Sequence, residues 1–490
     1  MVVASLLSGA LERSGLPLVA VFLALGALLG PYGLGLVDIG FESPALHALA
    51  MLGLALVLFS DAVTIDLKKV RAEKHLLWRL LGPGTLIPAA LVAVAARLLL
   101  DTSWPASAIL GAALASTDPV LLRSAFRSGA LPETARTALR IETGMNDVVL
   151  LPIVVLSILA MSDAASGHAV ENKDIARSLV GLFLLGPALG GIVGYFGIIV
   201  LEQIRSRVGV RRDYESLYAL GLAFSGFALA ESVGGSGFLA AFAAGLMVSS
   251  QDVELCDCFL EYGEATAEML LLLTFVALGT SLIWRGFEVF NWRTLVFTIV
   301  ALAARTIVLY PVLKHTHTNM HERRIIAAFG PRGLSSLLLT LLPVFAGIPY
   351  AGQLFMVTSL VVLCSIVIHG GGITIFLRRH MSQSPLPIED LNIDKAPVGA
   401  QLTAGAPSRK SLPIAEEAAA EEKEKITIDE MLGLKERGEE VIVVDARADR
   451  SFRKDELKAS GSVRLDPDHV VRDAKSLKLS QNATLVLYCA

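Results

Sequence analysis

The sequence predicts an all-α polytopic membrane protein of about 12–13 transmembrane helices, followed by a small α/β segment. Three observations predict it. Of 490 residues, 54% are hydrophobic and only 18% charged, with mean hydropathy +0.62, whereas soluble domains carry charge on about a quarter of their residues. Up to about Arg379 the apolar residues gather into runs of roughly 17 to 25, the length a helix needs to cross ~30 Å of hydrocarbon. Beyond that the composition turns Pro/Ala-rich, then acidic (Glu416, Glu417, Glu421, Glu422, Glu424), then β-branched.

Spans are predicted near 16–36, 45–63, 76–100, 105–126, 137–162, 176–202, 214–231, 235–250, 265–283, 292–313, 324–345 and 352–378. Residues 2–12 are apolar but short, and could be the remnant of a thirteenth. They do not read as a cleaved leader, because no basic stretch precedes them and the next apolar segment follows at once. Lys and Arg gather after the even-numbered spans: Lys68, Lys69, Arg71 and Lys74, then Arg123 and Arg127, then Arg205, Arg207, Arg211 and Arg212, then Arg323 and Arg324, then Arg378 and Arg379. Basic loops stay on the cytoplasmic side, so both termini are expected there, in a multi-pass protein of the cell membrane.

Net charge is only −4, so no basic footprint suggests nucleic acid; membrane lipid is the partner the composition implies. Cys256, Cys258, Cys364 and Cys489 are too few and scattered for a disulfide framework and read as free thiols. His315, His317 and His321 could form a metal or pH-sensing cluster but fit a solvated loop better. No Gly-rich phosphate loop of the Walker type is present, and no cofactor is expected.

Ionisable groups inside the spans carry the functional signal, since each costs about 2.5–3.5 kcal/mol at mid-bilayer on insertion scales. They are Asp61, Asp118, Glu142, Asp147 and Arg305, with Arg332 beside a broken helix. In Ser116-Thr117-Asp118-Pro119 the proline has no N–H and disfavours helical geometry at Asp118, so the helix should break. Breaking frees carbonyls near 115–117, which a hard alkali cation would accept. The blander reading makes this an interfacial turn in which Asp118 caps the next helix. Gly330-Pro331-Arg332-Gly333 interrupts a second apolar span in the same way, and two interrupted helices in corresponding places point to an inverted-repeat transporter with a midplane site.

Between them lies Glu142-Thr143-Gly144-Met145-Asn146-Asp147. Thr143 and Asp147 share one helix face, Glu142 and Asn146 the adjacent one, so a hydroxyl and a carboxylate can meet one ion. Glu142 needs a neutralising partner, for which Arg305 is the candidate; alternatively Glu142 and Asp147 sit at a helix end beside Arg136 and Arg140. Asp61 reads equally as an interfacial cap near Lys68 and Lys69 or as a site residue.

These residues resemble the monovalent cation:proton antiporter superfamily, specifically the Na⁺/H⁺ exchangers of its first family, over roughly 15–380. Thr117-Asp118-Pro119 is similar to the unwound-helix motif and Glu142 to Asp147 to the Glu-Ser-x-x-Asn-Asp motif, with Thr143 in the serine's place. Ala230 to Ala240, Arg305 and Phe329 to Gly333 are similar to further family segments. The resemblance implies two inverted five-helix repeats with crossed broken helices, a dimerisation domain and a moving core, and a homodimer. It implies that Asp147 binds Na⁺ or a proton in competition, that Asp118 lines the site, that Thr143 and the Thr117 carbonyl ligate the ion, and that Glu142 pairs with Arg305. Asn146 before Asp147 is the pattern of electroneutral exchange. Two departures stand out: Ser60-Asp61-Ala62 where many members have Glu-Gly-Gly, and Pro331 in the second break.

The expected organisation is a transport domain over 1–380, a flexible linker over 381–425, and a cytoplasmic segment over 426–490. In the last, Thr427 to Arg437 reads as helical, and Val441 to Val444 and Thr484 to Tyr488 as buried strands. Val443-Val444-Asp445-Ala446-Arg447, Phe452, Gly461-Ser462-Val463 and Leu487-Tyr488-Cys489 resemble a rhodanese-like domain, with Cys489 at the nucleophile's position and the following loop absent, as in a truncated domain. The functional expectation is therefore a Na⁺/H⁺ antiporter, with a K⁺/H⁺ antiporter of the same fold as the alternative. From another class comes a membrane-anchored sulfurtransferase or sulfur sensor, although an anchor needs neither twelve spans nor buried charges.

Overall fold

The computed structural model describes residues 18–65, 74–127, 131–166, 172–207, 212–251, 257–316 and 318–381, together with parts of 431–488 that include 440–446 and 483–488. The chain falls into two units, Met1–Asp390 and Leu391–Ala490.

The first unit is helical. Its elements are α1 (Leu18–Leu29), α2 (Pro44–Val63), α3 (Lys74–Leu81), α4 (Pro83–Leu99), α5 (Trp104–Ala115), α6 (Pro119–Arg127), α7 (Glu133–Ser166) and α8 (Asn172–Val180). After a π turn at Gly181–Leu185 come α9 (Gly186–Arg207), α10 (Arg212–Ser232), α11 (Gly237–Ser250), α12 (Asp257–Thr280), α13 (Trp292–Val312), α14 (Met320–Ala328), α15 (Leu334–Phe345) and α16 (Ala351–Ser365). A second π turn, Ile366–Gly370, joins α16 to α17 (Gly371–Met381). Among the described residues seven helical segments are long and apolar enough to span a membrane, and five shorter apolar helices accompany them. Those twelve coincide with the twelve expected spans; residues 2–12 lie outside the described residues. The chain is thus a multi-pass membrane protein, mostly helical.

Local chemistry sets the helix starts. Ser43 and Ser103 accept the Leu46 and Ala106 N–H groups, each with proline in the first turn that follows, and Asn291 with Thr294 and Asn319 with Glu322 form capping boxes. Besides the two spans expected to break, 105–126 and 324–345, a third is not continuous: 76–100 divides at Gly82-Pro83, because Pro83 has no N–H to continue α3.

The helices pack in two groups. In one, α1 and α2 lie against α12 and α11, with α9 and α10 closing on α11. In the other, α5 packs on α4, α7 and α15, while α13 lies on α4 and α15 on α16. The groups touch where α2 meets α7 and α15. Helices approach closely where side chains are smallest: a Cβ at Gly190 of α9 would overlap the Ala240 carbonyl oxygen of α11.

In the second unit β1 (Val441–Asp445) pairs in parallel with β2 (Val463–Arg464) on one side and β3 (Thr484–Tyr488) on the other. The expected burial of both long strands holds only for β1, where Val444 and Asp445 are enclosed. On β3, Leu485 and Leu487 are 41% and 61% exposed, because they share one face of the strand and that face is left uncovered. The linker over 381–425 (Met381 aside), Arg447, Phe452 and Cys489 lie outside the described residues.

Gly190→Val should destabilise the first unit by about 1–3 kcal/mol, since the backbone it would strike cannot turn aside. A thermal scan of detergent-purified protein should show the lower midpoint; an unchanged midpoint would show that α9 and α11 can separate freely.

Candidate functional site

Two helix breaks meet in the second helix group. Between α5 and α6, Ser116, Thr117 and Asp118 leave helical geometry; between α14 and α15, Phe329 to Gly333 do the same. The breaks are tied to each other. Asp118 N–H donates to the Pro331 carbonyl at 3.0 Å, and the Asp118 carboxylate accepts the Val120 N–H at 2.8 Å and the Leu334 N–H at 2.5 Å. One carboxylate therefore caps the N-termini of both α6 and α15, where the helix dipole is positive. The capping role and the place inside a broken span, read from sequence as alternatives, coexist.

Arg332 supplies the mirror image. Fully buried, its Nη1 donates to the carbonyls of Ala115 and Ser116 at 2.8 and 2.9 Å, at the negative end of α5. This corrects the expectation that these carbonyls stand open to a cation: a guanidinium already holds two of them. Its backbone N–H donates to Ser365 Oγ at 2.7 Å. Glycine is required on both sides of Pro331-Arg332, because a Cβ at 333 would overlap the Asp118 carboxylate and one at 330 the Arg305 side chain.

Glu142 and Arg305 form a bidentate pair, Nε to Oε1 at 2.8 Å and Nη2 to Oε2 at 2.6 Å, with both side chains buried. Arg305 Nη1 also holds the carbonyls of Ile326 and Ala327 at the end of α14. The end of each first half-helix, α5 and α14, thus meets an arginine.

Asp147 stands differently. It is 4% exposed; Ser116 Oγ donates to its carboxylate at 2.5 Å, and Ser335, from the start of α15, also bonds to it. Its partners are neutral hydroxyls, one from each broken helix. Asn146 Nδ2 donates to Thr117 Oγ1 at 2.7 Å, which ties α7 to the first break, while Asn146 Oδ1 is buried with no hydrogen-bond partner among the described residues. Thr143 turns its hydroxyl proton to the Leu139 and Arg140 carbonyls of its own helix. Asp61, on α2 in the other helix group, lies against Gly144 of α7, so it faces the site across the seam.

The structure therefore gathers Thr117, Asp118, Glu142, Asn146, Asp147, Arg305 and Arg332 at one crossover. Sequence reasoning missed Ser116, Ser335 and Ser365, since serines in apolar helices are common and only their position beside the breaks marks them.

With this geometry in hand, the family model described as sodium/hydrogen exchanger, transmembrane, matches residues 1–379. The chain belongs to the sodium/hydrogen exchanger family. It is accordingly a cation/proton antiporter, a transporter rather than an enzyme. The K(+)/H(+) antiporter NhaP2 of Shewanella sp. (strain ANA-3) is 26% identical over 411 residues, 81% of this chain and 68% of that protein. The K(+)/H(+) antiporter NhaP of Alkalimonas amylolytica is 27% identical over 379 residues, 76% of this chain and 63% of that protein. The Na(+)/H(+) antiporter NhaS2 of Synechocystis sp. is 27% identical over 242 residues, 48% and 43% of the two chains. In fold, the chain is similar to the sodium proton antiporter MjNhaP1 from Methanocaldococcus jannaschii, with TM-score 0.61, 20% identity, and 78% and 96% of the two chains covered.

Removing Glu142 alone strands a buried guanidinium, so Glu142→Ala should cost about 3–5 kcal/mol of stability, whereas Glu142→Met with Arg305→Met should recover much of that loss. Unfolding midpoints of the three proteins measure it. A single variant as stable as the parent would show that the pair does not hold the core.

Proposed function

We propose that the chain exchanges one Na⁺ for one H⁺ by alternating access at Asp147. The observation that carries this reading is the charge count at the crossover. Asp118, Glu142, Asp147, Arg305 and Arg332 are the buried charged side chains of the crossover, Asp61 being only half-buried, so among the buried groups three carboxylates against two guanidiniums leave one negative charge. The Asp118 carboxylate is held by the N–H groups of two helix N-termini, Glu142 is paired with Arg305, and Asp147 is bonded to neutral hydroxyls alone, so we assign the surplus charge to Asp147. An unpaired carboxylate in low dielectric must be neutralised. A single proton or a single monovalent cation neutralises it, and the two cannot share the seat.

Competition for one seat gives coupling. The loaded site, with either occupant, is neutral and can cross low-dielectric surroundings; the empty one carries a charge and is held back. One-for-one replacement moves no net charge, in keeping with Asn146 rather than a second acid before Asp147. In this reading Asp147 holds the cation, with Asp118, Thr117 through its carbonyl, Thr143 and Asn146 lining the seat and Asp61 facing it from α2. Glu142, Arg305 and Arg332 hold the frame. Na⁺ is favoured by the relative NhaS2, named a Na(+)/H(+) antiporter. K⁺ is the second reading, favoured by the two relatives named K(+)/H(+) antiporters.

The same proposal covers the remaining organisation: residues 1–380 transport, 381–425 link, and 426–490 form a rhodanese-like unit, for which the parallel sheet around β1 speaks. Basic residues after even-numbered spans place both termini in the cytoplasm of a cell-membrane protein. A homodimer is expected, as in the family resembled.

In everted vesicles carrying an acid-accumulated pH dye, Na⁺ should restore fluorescence with the parent protein and not with Asp147→Asn, a loss of at least about tenfold in rate. Parallel additions of K⁺ and Li⁺ identify the cargo. Equal responses from parent and variant would remove Asp147 from the mechanism.

A further inference from the structure

His369 has no part in the exchange chemistry described so far, yet it is wired to it. It sits in the π turn Ile366–Gly370, the interruption between α16 and α17, and such turns occur often at functional positions. Its Nδ1 lies 3.1 Å from Ser365 Oγ, and the ring also bonds to the Ser365 backbone. Ser365 Oγ in turn accepts the Arg332 N–H at 2.7 Å, and Arg332 grips the α5 carbonyls. A continuous chain of hydrogen bonds thus runs from His369 through Ser365 and Arg332 to the break that bears Ser116, the donor to Asp147. Among the described residues, the charged groups acting on His369 are the guanidiniums of Arg332 and Arg305, with Glu142 offsetting the latter.

We propose that His369 is a positioning residue for the exchange reaction, holding the second break through Ser365, and that only its neutral ring permits transport. This rests on the antiporter reading above. With Nδ1 unprotonated and the ring proton on Nε2, Ser365 donates its hydroxyl proton to Nδ1 and offers its lone pairs to Arg332 N–H. When Nδ1 takes a proton from solution it becomes a donor, the Ser365 hydroxyl must turn away, and a third positive charge arises beside two arginines. The Ser365 oxygen can still accept from both Nδ1 and the Arg332 N–H, so the added charge acts by repulsion: it weakens the Arg332 guanidinium's hold on the Ala115 and Ser116 carbonyls, and the Ser116 contact to Asp147 loosens with it. Acid therefore slows exchange through a group separate from Asp147.

The test uses the full chain in vesicles with three variants across a pH series. His369→Leu and Ser365→Ala should each lower the maximal exchange rate about tenfold at the pH values where the parent's His369 is neutral, the worth of one buried hydrogen bond, with the difference shrinking in acid, and the double variant should be no worse than either. His369→Asn keeps an acceptor at the same distance from the backbone but cannot titrate. It should restore the rate to within about threefold and extend activity about one pH unit further into acid. A Leu variant as fast as the parent, or an Asn profile superimposed on the parent's, would overturn the proposal. Nitrogen NMR of histidine-labelled protein, with the His369 signal identified by its loss in His369→Asn, reads the ring without transport. Nδ1 should be unprotonated near neutral pH and should shift in Ser365→Ala; a protonated or indifferent Nδ1 overturns the proposal. If the parent moves no protons on addition of any cation, the antiporter reading fails, and the NMR result still decides whether His369 holds the break.

Discussion

The arrangement depends on compensating four helix ends inside a medium that cannot hydrate them. Each break exposes carbonyls at the end of one half-helix and N–H groups at the start of the next, and in hydrocarbon such groups cost several kcal/mol each if left unpaired. Asp118 takes the two N-termini, Arg332 the end of α5, and Arg305 the end of α14. Because these three side chains are committed to backbone, they fix the crossover as a rigid frame. Glu142 is then required to balance Arg305. What remains uncompensated is Asp147, and function follows from that remainder.

The same constraint explains why the breaks are built from glycine and proline. Pro119 and Pro331 lack the N–H that would continue their helices, and Pro331 lends its carbonyl to Asp118. Gly330 and Gly333 leave room for the Arg305 side chain and the Asp118 carboxylate to reach the chain. The departure of Pro331 from the family pattern is thus accommodated by the geometry: its backbone is an acceptor in the crossover, and its missing donor lies where the helix must stop.

Much of this was legible in the sequence, for reasons that mark where legibility ends. The spans could be read because each is a long apolar run, and the breaks because proline acts on its immediate neighbours. Pairing Glu142 with Arg305 could be read because few buried arginines were available to meet it. The partner of Arg332, more than two hundred residues away, could not, since spacing reports neighbours on one helix and says nothing of a helix that crosses it. For the same reason Thr143, one turn before Asp147, was the visible hydroxyl, whereas Ser116 and Ser335, donated across helices, were not. The short strand β2 and the exposure of Leu485 and Leu487 also escaped, because an alternation of apolar residues does not reveal whether a neighbour covers them.

The central claim is that one carboxyl group accepts a cation only by giving up a proton. Calorimetric titration of Na⁺ into the purified protein at a pH where Asp147 is still protonated, repeated in buffers of different ionisation enthalpy, counts the protons released for each ion bound. If Asp147 is the shared seat, the count approaches one as the pH is lowered, and no binding heat remains once Asp147 is replaced by Asn. Saturable binding with no proton released at any pH would contradict it.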